Sequence, residues 1–179
     1  ASTSGCAIEG VEVKCVDQDN KEVPVGEPGE ILVRGYNITQ GYFNDPQATQ
    51  EAIDKEGWLH TGDIGILDKN GYIKITDRSK DMFIVGGFNA YPAEIENILC
   101  DHPAISQAAV IGISDERMGE VAKAFVVLKP NHELKIESLV KWSKENMANY
   151  KVPREIEFVE ALPTNAAGKV MKYILKESE

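Results

Sequence analysis

The feature that most constrains this chain is a change of hydrophobic rhythm at TDRSKD, residues 76–81. Upstream of it, short alternating runs follow one another with little helix between them. VEVKCV (11–16) alternates, DQDN makes a turn, and GEILVRG (29–35) follows as a second strand. PQATQEAI (46–53) predicts a short helix with proline in its first turn. GILDKNGYIKI (65–75) predicts a hairpin in which Asn70-Gly71 supplies the positive φ of a two-residue turn. Strands that are not separated by crossover helices pair antiparallel. Residues 1–77 are therefore expected to be β-rich and built on a largely antiparallel sheet.

Downstream, helical periods enter. DMFIVGG (81–87) reads as a strand ending in glycines, and PAEIENILCDHP (92–103) as a helix with Ile95, Ile98 and Leu99 on one face. ISQAAVIGI (105–113) and VAKAFVVLK (121–129) are strands. IESLVKWSKENMANY (136–150) is an amphipathic helix with Leu139, Val140, Ser143 and Met147 along one side. EIEFVEAL (155–162) is a strand, and GKVMKYILK (168–176) closes as a helix. That order makes a compact α+β domain of about 100 residues. The fold class is thus α+β, with the border in the charged stretch at 76–81.

Charge and composition narrow the partners. The formal net charge over 179 residues is −10, which argues against nucleic acid as a partner. No run of 18 apolar residues exists, so no membrane span is expected. The opening ASTSGCAIEG lacks the basic start and apolar stretch of a secretory leader, so the expected location is cytoplasmic. It reads as the middle of a longer protein. Cys6, Cys15 and Cys100 have no metal or redox spacing and read as reduced, buried, small side chains. His60, His102 and His132 are scattered without ligand spacing, so no metal site is expected in this portion. Trp58 and Trp142 read as core or interface residues.

Four stretches could carry chemistry, and each has a plain structural alternative. In HTGDIG (60–65), Asp63 follows a glycine in a loop; a carboxylate's two oxygens match the vicinal hydroxyls of a ribose, although a solvated turn would use the same residues. In DRSKD (77–81), Arg78 could grip a ribose or phosphate oxygen and Lys80 could be a pivot, or the stretch could be a solvated linker. In FIVGGFNAYPAEIE (83–96), Gly86 and Gly87 let a thin ligand pass close to the backbone, or merely allow a turn. In PTNAAGKV (163–170), Lys169 follows a glycine; the Walker spacing fails, so a surface lysine at a helix start is the alternative.

The order of these pieces is more specific than any one of them. GYFNDPQAT, GWLHTGD, GYIKITDRSKDMFIVGGFNAYPAEIE, ISQAAVIGISDERMGEVAKAFVV and LPTNAAGKV cover nearly the whole chain. In this order they resemble the C-terminal part of the acyl-adenylate-forming enzymes, which include acyl-CoA synthetases, firefly-type luciferases and peptide-synthetase adenylation domains. The resemblance implies that residues 1–77 are the last subdomain of a large N-terminal part, a small distorted antiparallel β-barrel. It implies a hinge at 78–80 and a mobile C-terminal domain at 81–179. It implies a two-step reaction: a carboxylic acid, expected to be a fatty acid, attacks ATP to give acyl-AMP and pyrophosphate, and coenzyme A then displaces AMP.

Carried over by motif, Asp63 and Arg78 would hold the nucleotide's ribose, and Lys80 would be the hinge. Gly86, Gly87 and Phe88 would line the pantetheine path of coenzyme A. Lys169 would be the catalytic contact to the α-phosphate and carboxylate oxygens. Mg2+ would be bound mainly by the missing N-terminal part. Asp77 stands where many members have glycine, and Lys172 where many have arginine. The phosphate loop, adenine segment and acyl pocket are expected to precede residue 1, so the isolated chain is expected to be inactive. A peptide-synthetase adenylation domain, a luciferase-like enzyme and a non-catalytic nucleotide-binding fragment are the alternatives.

Overall fold

A computed structural model describes residues 3–177. It divides between Lys80 and Asp81 into two units. In the first, Gly5–Cys6 (β1), Val11–Val16 (β2), Pro28–Gly35 (β3), Leu59–Leu67 (β4) and Tyr72–Arg78 (β5) form one antiparallel sheet in the order β1-β5-β4-β3-β2. The expected alternation of VEVKCV and GEILVRG becomes the β2–β3 ladder, from Val11↔Gly35 to Val16↔Glu30. The helix Pro46–Ala52 (α1) has proline in its first turn, and the Asp45 carboxylate accepts from the Ala48 N–H at its start.

The distorted barrel is not formed. Among the described residues no ladder joins β1 to β2, so the sheet is open. Closure needs edge strands long enough to share a staggered ladder. β1 offers only Gly5↔Ile73 and Cys6↔Tyr72 to its single neighbour. The β4–β5 hairpin also differs from its two-residue expectation. The Asp68 N–H donates to Tyr72 and the Gly71 N–H to Asp68, so three residues form the loop. Gly71 alone carries positive φ (80°), while the Asp68 carboxylate accepts from the Asn70 and Tyr72 amides. An aspartate that caps its own turn selects this longer loop.

The first unit's core is small. Val16, Leu32 and Trp58 pack together. Lys14 Nζ and Arg34 Cζ lie 4.2 and 4.4 Å from the Trp58 ring centroid, so two cations sit on its indole. Trp58 is therefore a core residue, and Arg34 is in turn held by Glu12 through 3.0 and 2.9 Å hydrogen bonds.

In the second unit, Phe83–Val85 (β6) and Phe88–Ala90 (β7) form a short hairpin. The helix Pro92–Cys100 (α2) leads to the long antiparallel pair Ile105–Asp115 (β8) and Gly119–Leu128 (β9). The helix Ile136–Asn146 (α3) crosses over to Glu155–Phe158 (β10), which pairs parallel to β9. Lys172–Glu177 (α4) is the last described helix.

Successive residues of β8 and β9 point to opposite faces, and each face has its own apolar cover. Val110, Ala122, Ala124 and Val126 pack with Ile95, Leu99 and Leu139, which brings α2 and α3 onto one side. Ala109, Ile111 and Phe125 pack with Leu162 and with Leu175 of α4 on the other. α3 stops at Asn146, short of its expected end, and Met147 is its extended C-terminal cap. Of the cysteines, only Cys15 is buried; Cys6 and Cys100 are exposed. Among the described residues, no helix is long and apolar enough to cross a membrane.

Candidate functional site

Asp63 does not lie in a loop, as the preceding glycine suggested; it lies within β4. The strand is distorted there. β4 takes the four steps from Ile64 back to His60 while β3 takes the two from Glu30 to Leu32. Thr61, Gly62 and Asp63 therefore bulge out opposite Ile31, with Gly62 at φ 69°. A second irregularity follows between Ile64 and Gly65, where β5 carries the extra residue, Thr76. Bulges re-aim side chains beside functional sites.

Here the bulge places Asp63 directly across from Arg78 in the β4–β5 ladder. Arg78 Nε lies 2.8 Å from Asp63 Oδ1. The Asp63 side chain is 27% and the Arg78 side chain 49% exposed, so the pair is half-sheltered and open to a ligand. Asp63 Oδ2 has no hydrogen-bond partner among the described residues. The structure thus brings together two residues that the sequence separates by fourteen intervening positions. They set a carboxylate and a guanidinium side by side, both partly exposed.

Sequence reasoning missed what holds the bulge. Glu30 Oε1 accepts from the Gly62 N–H at 3.1 Å, and Glu30 Oε2 lies 3.2 Å from His60 Nδ1. Thr61 Oγ1 donates to the Ile31 carbonyl at 2.7 Å and accepts from the Asp63 N–H at 3.1 Å. No local signal marks Glu30, because its partners lie 30 and 32 positions away. Asp77 is buried, and its carboxylate accepts from the Arg78 N–H at 2.7 Å. The residue that replaces a common glycine thus fixes the backbone that carries Arg78.

Lys80 is exposed and ends the first unit, within the 3-10 turn Ser79–Asp81.

Gly86 and Gly87 form the β6–β7 turn, with φ 57° and 89°. Two successive positive φ values define a type I′ turn, which only a pair such as Gly-Gly adopts freely. The sequence reading ended this strand at the glycines and missed β7, which is only three residues long. A Cβ on Gly86 would lie 2.5 Å from Met118 Cε, whereas one on Gly87 would meet nothing within 4 Å. Gly87 therefore faces open space. The Gly86 N–H donates to the Met118 carbonyl and the Ile84 N–H to Glu120 Oε2, at 2.8 and 3.0 Å. Phe88 is exposed and stacks on Tyr150 with ring centroids 5.0 Å apart.

Lys169 is exposed on a hairpin-like loop, not at a helix start: α4 begins three residues later. The Thr164↔Val170 bridge closes the loop. Inside it, Asn165 Oδ1 accepts from the Ala167 and Lys169 amides at 3.0 and 2.9 Å, and Gly168 takes φ 77°. The asparagine and glycine thus shape the loop from within, and the lysine ammonium has no ion-pair partner among the described residues. Lys172 anchors the loop's far end: its Nζ lies 2.6 Å from Glu96 Oε1, which also accepts from the Val110 N–H. No hydrogen bond or ion pair joins Lys169 to the Gly86–Gly87 turn among the described residues. Nor do three His, Cys, Asp or Glu side chains gather there as metal ligands.

Comparison with known proteins agrees with this arrangement of motifs. Residues 94–169 match the AMP-binding enzyme C-terminal domain, and residues 1–43 match the AMP-binding enzyme family. All 179 residues align at 52% identity with a third (33%) of a 3-[(3aS,4S,7aS)-7a-methyl-1,5-dioxo-octahydro-1H-inden-4-yl]propanoyl:CoA ligase of Rhodococcus jostii. A medium-chain fatty-acid–CoA ligase of Escherichia coli is 45% identical over 98% of this chain and 31% of its own length. Among solved structures, ATP-bound MatB of Rhodopseudomonas palustris matches 99% of this chain and 35% of its own, with 35% identity and a TM-score of 0.92. The o-succinylbenzoate CoA synthetase of Bacillus subtilis, in complex with its acyl-adenylate, gives a TM-score of 0.87 at 36% identity, over 98% of this chain and 35% of its own. The chain spans about a third of the length of the curated relatives it matches. With both family matches and these relatives in agreement, the chain belongs to the acyl-adenylate-forming, AMP-binding enzyme superfamily.

Proposed function

We propose that this chain is the C-terminal portion of an AMP-forming acid–thiol ligase, which joins an apolar carboxylic acid, such as a fatty acid, to coenzyme A through an acyl-adenylate. The observation that carries the proposal is the Asp63–Arg78 pair at 2.8 Å, half-sheltered and aimed by a double bulge. A ribose presents two adjacent hydroxyls that donate to a carboxylate and accept from a guanidinium. Charge-assisted bonds of this kind contribute about 1.5–3 kcal/mol each. Asp63 and Arg78 bind the sugar of ATP and AMP in both half-reactions.

Lys169 supplies positive charge when the acid attacks the α-phosphate, because negative charge then builds on the phosphoryl and carboxylate oxygens. Lys80, at the division between the units, serves as the hinge. The Gly86–Gly87 turn and Phe88 line the route of the pantetheine thiol, since Gly87 leaves room for a thin chain. Mg2+ would accompany ATP and reduce the charge on its phosphates. The names of the relatives support an acid with a large apolar part, either a fused-ring propanoate or a fatty chain.

The test is ribose recognition. In the full-length ligase, Asp63→Ala is expected to reduce the preference for ATP over 2′,3′-dideoxy-ATP by roughly tenfold to a hundredfold, as kcat/KM for adenylate formation. A variant that keeps the parental preference would remove Asp63 from the ribose site.

A further inference from the structure

The β4 bulge that aims Asp63 removes ladder hydrogen bonds, and a backbone N–H left without a partner in a sheltered place is unfavourable. Two groups replace the lost bonds. Thr61 Oγ1 bridges the Ile31 carbonyl and the Asp63 N–H. Glu30 Oε1 takes the Gly62 N–H, while its other oxygen sits against the His60 ring. The Glu30 and His60 side chains are only 23% and 22% exposed, so neither bond is a loose surface contact. Gly62, at φ 69°, has no Cβ to restrict it, and Asp63 follows at once. The carboxylate from β3 is thus the external tie on a flexible point one residue before Asp63.

From this geometry we infer that Glu30 is a positioning residue for the nucleotide ribose. It acts by holding the Gly62 amide, so that Asp63 stays opposite Arg78 at the sugar. It touches neither nucleotide nor acid. The inference rests on the ribose role proposed for Asp63. It predicts that removing the tie loosens discrimination at the ribose, over and above any general effect on the fold.

The experiment compares Glu30→Ala, Glu30→Asp, Glu30→Gln and Asp63→Ala in the full-length ligase. Each is measured for kcat/KM with ATP and with 2′,3′-dideoxy-ATP, together with its melting temperature. Glu30→Ala is expected to cut the parental preference for ATP by about tenfold, one charge-assisted contact's worth. Glu30→Asp lacks the reach to Gly62 and should behave like alanine; it serves if the alanine variant does not fold. Glu30→Gln keeps an acceptor for the Gly62 N–H and should stay within about threefold of the parent.

A purely structural role would lower the melting temperature and slow both nucleotides in the same proportion. If that pattern appears in the alanine and aspartate variants while Asp63→Ala does lose the preference, the positioning role of Glu30 is overturned. If Asp63→Ala keeps the preference, the ribose assignment itself falls, and the role inferred for Glu30 falls with it.

Discussion

Replacing Lys169 by alanine in the full-length ligase is expected to slow adenylate formation by about a hundredfold to a thousandfold. That is the usual cost of deleting one preorganised contact to charge that develops in a transition state. Thioester formation from supplied acyl-adenylate and coenzyme A should proceed at the parental rate. The split follows from where the lysine sits. Its loop is shaped by Asn165 and Gly168 and anchored by the Lys172–Glu96 pair, and the ammonium itself makes no ion pair among the described residues. Removing it leaves no buried partner uncompensated, so little stability should be lost. The Gly86–Gly87 turn, assigned to the thiol's route, is a separate hairpin with its own hydrogen bonds. Separate assays of pyrophosphate release and of thioester formation from synthetic adenylate will check this. Equal loss in both would mean that the lysine supports the fold or serves both steps.

Leu139→Ala should have the largest effect on stability. Leu139 is fully buried on α3, against the core formed with Ile95, Leu99 and Val110. Truncating such a leucine costs about 2–5 kcal/mol, from lost burial plus the cavity left behind. One turn on, Ser143 is also fully buried, and its Oγ has no hydrogen-bond partner among the described residues. No polar contact of that side chain compensates for the lost apolar packing. Hydrogen exchange of the slowest amides of β8 and β9 should therefore accelerate by about thirtyfold or more. A change below about threefold would show that α3 is not integral to this core.

Parts of the fold were legible in the sequence because local pattern and tertiary role agree. VEVKCV alternates and becomes β2 with the expected bounds; Pro92 opens α2, and Ile95 and Leu99 form its buried face. Other parts are set by non-local pairing. HTGDIG looked like a loop because Asp63 follows a glycine, yet the segment runs through β4 as a bulge. FNA is too short to carry a period, and β7 exists because the Gly-Gly turn reverses the chain onto β6. An open sheet rather than a barrel follows from the two-residue length of β1, which no periodicity reveals. Within the site, Asp63 and Arg78 were singled out in the sequence, and the β4–β5 ladder sets them opposite one another. The tie from Glu30 was not, since it joins residues 32 positions apart.

We propose that this chain is part of an enzyme that makes acyl-adenylates. Exchange of labelled pyrophosphate into ATP by the full-length ligase tests it most directly. Exchange should require the carboxylic acid, proceed without coenzyme A, and fall by about a hundredfold or more when Lys169 is alanine. Absence of acid-dependent exchange, or release of ADP and phosphate in place of AMP and pyrophosphate, would contradict it.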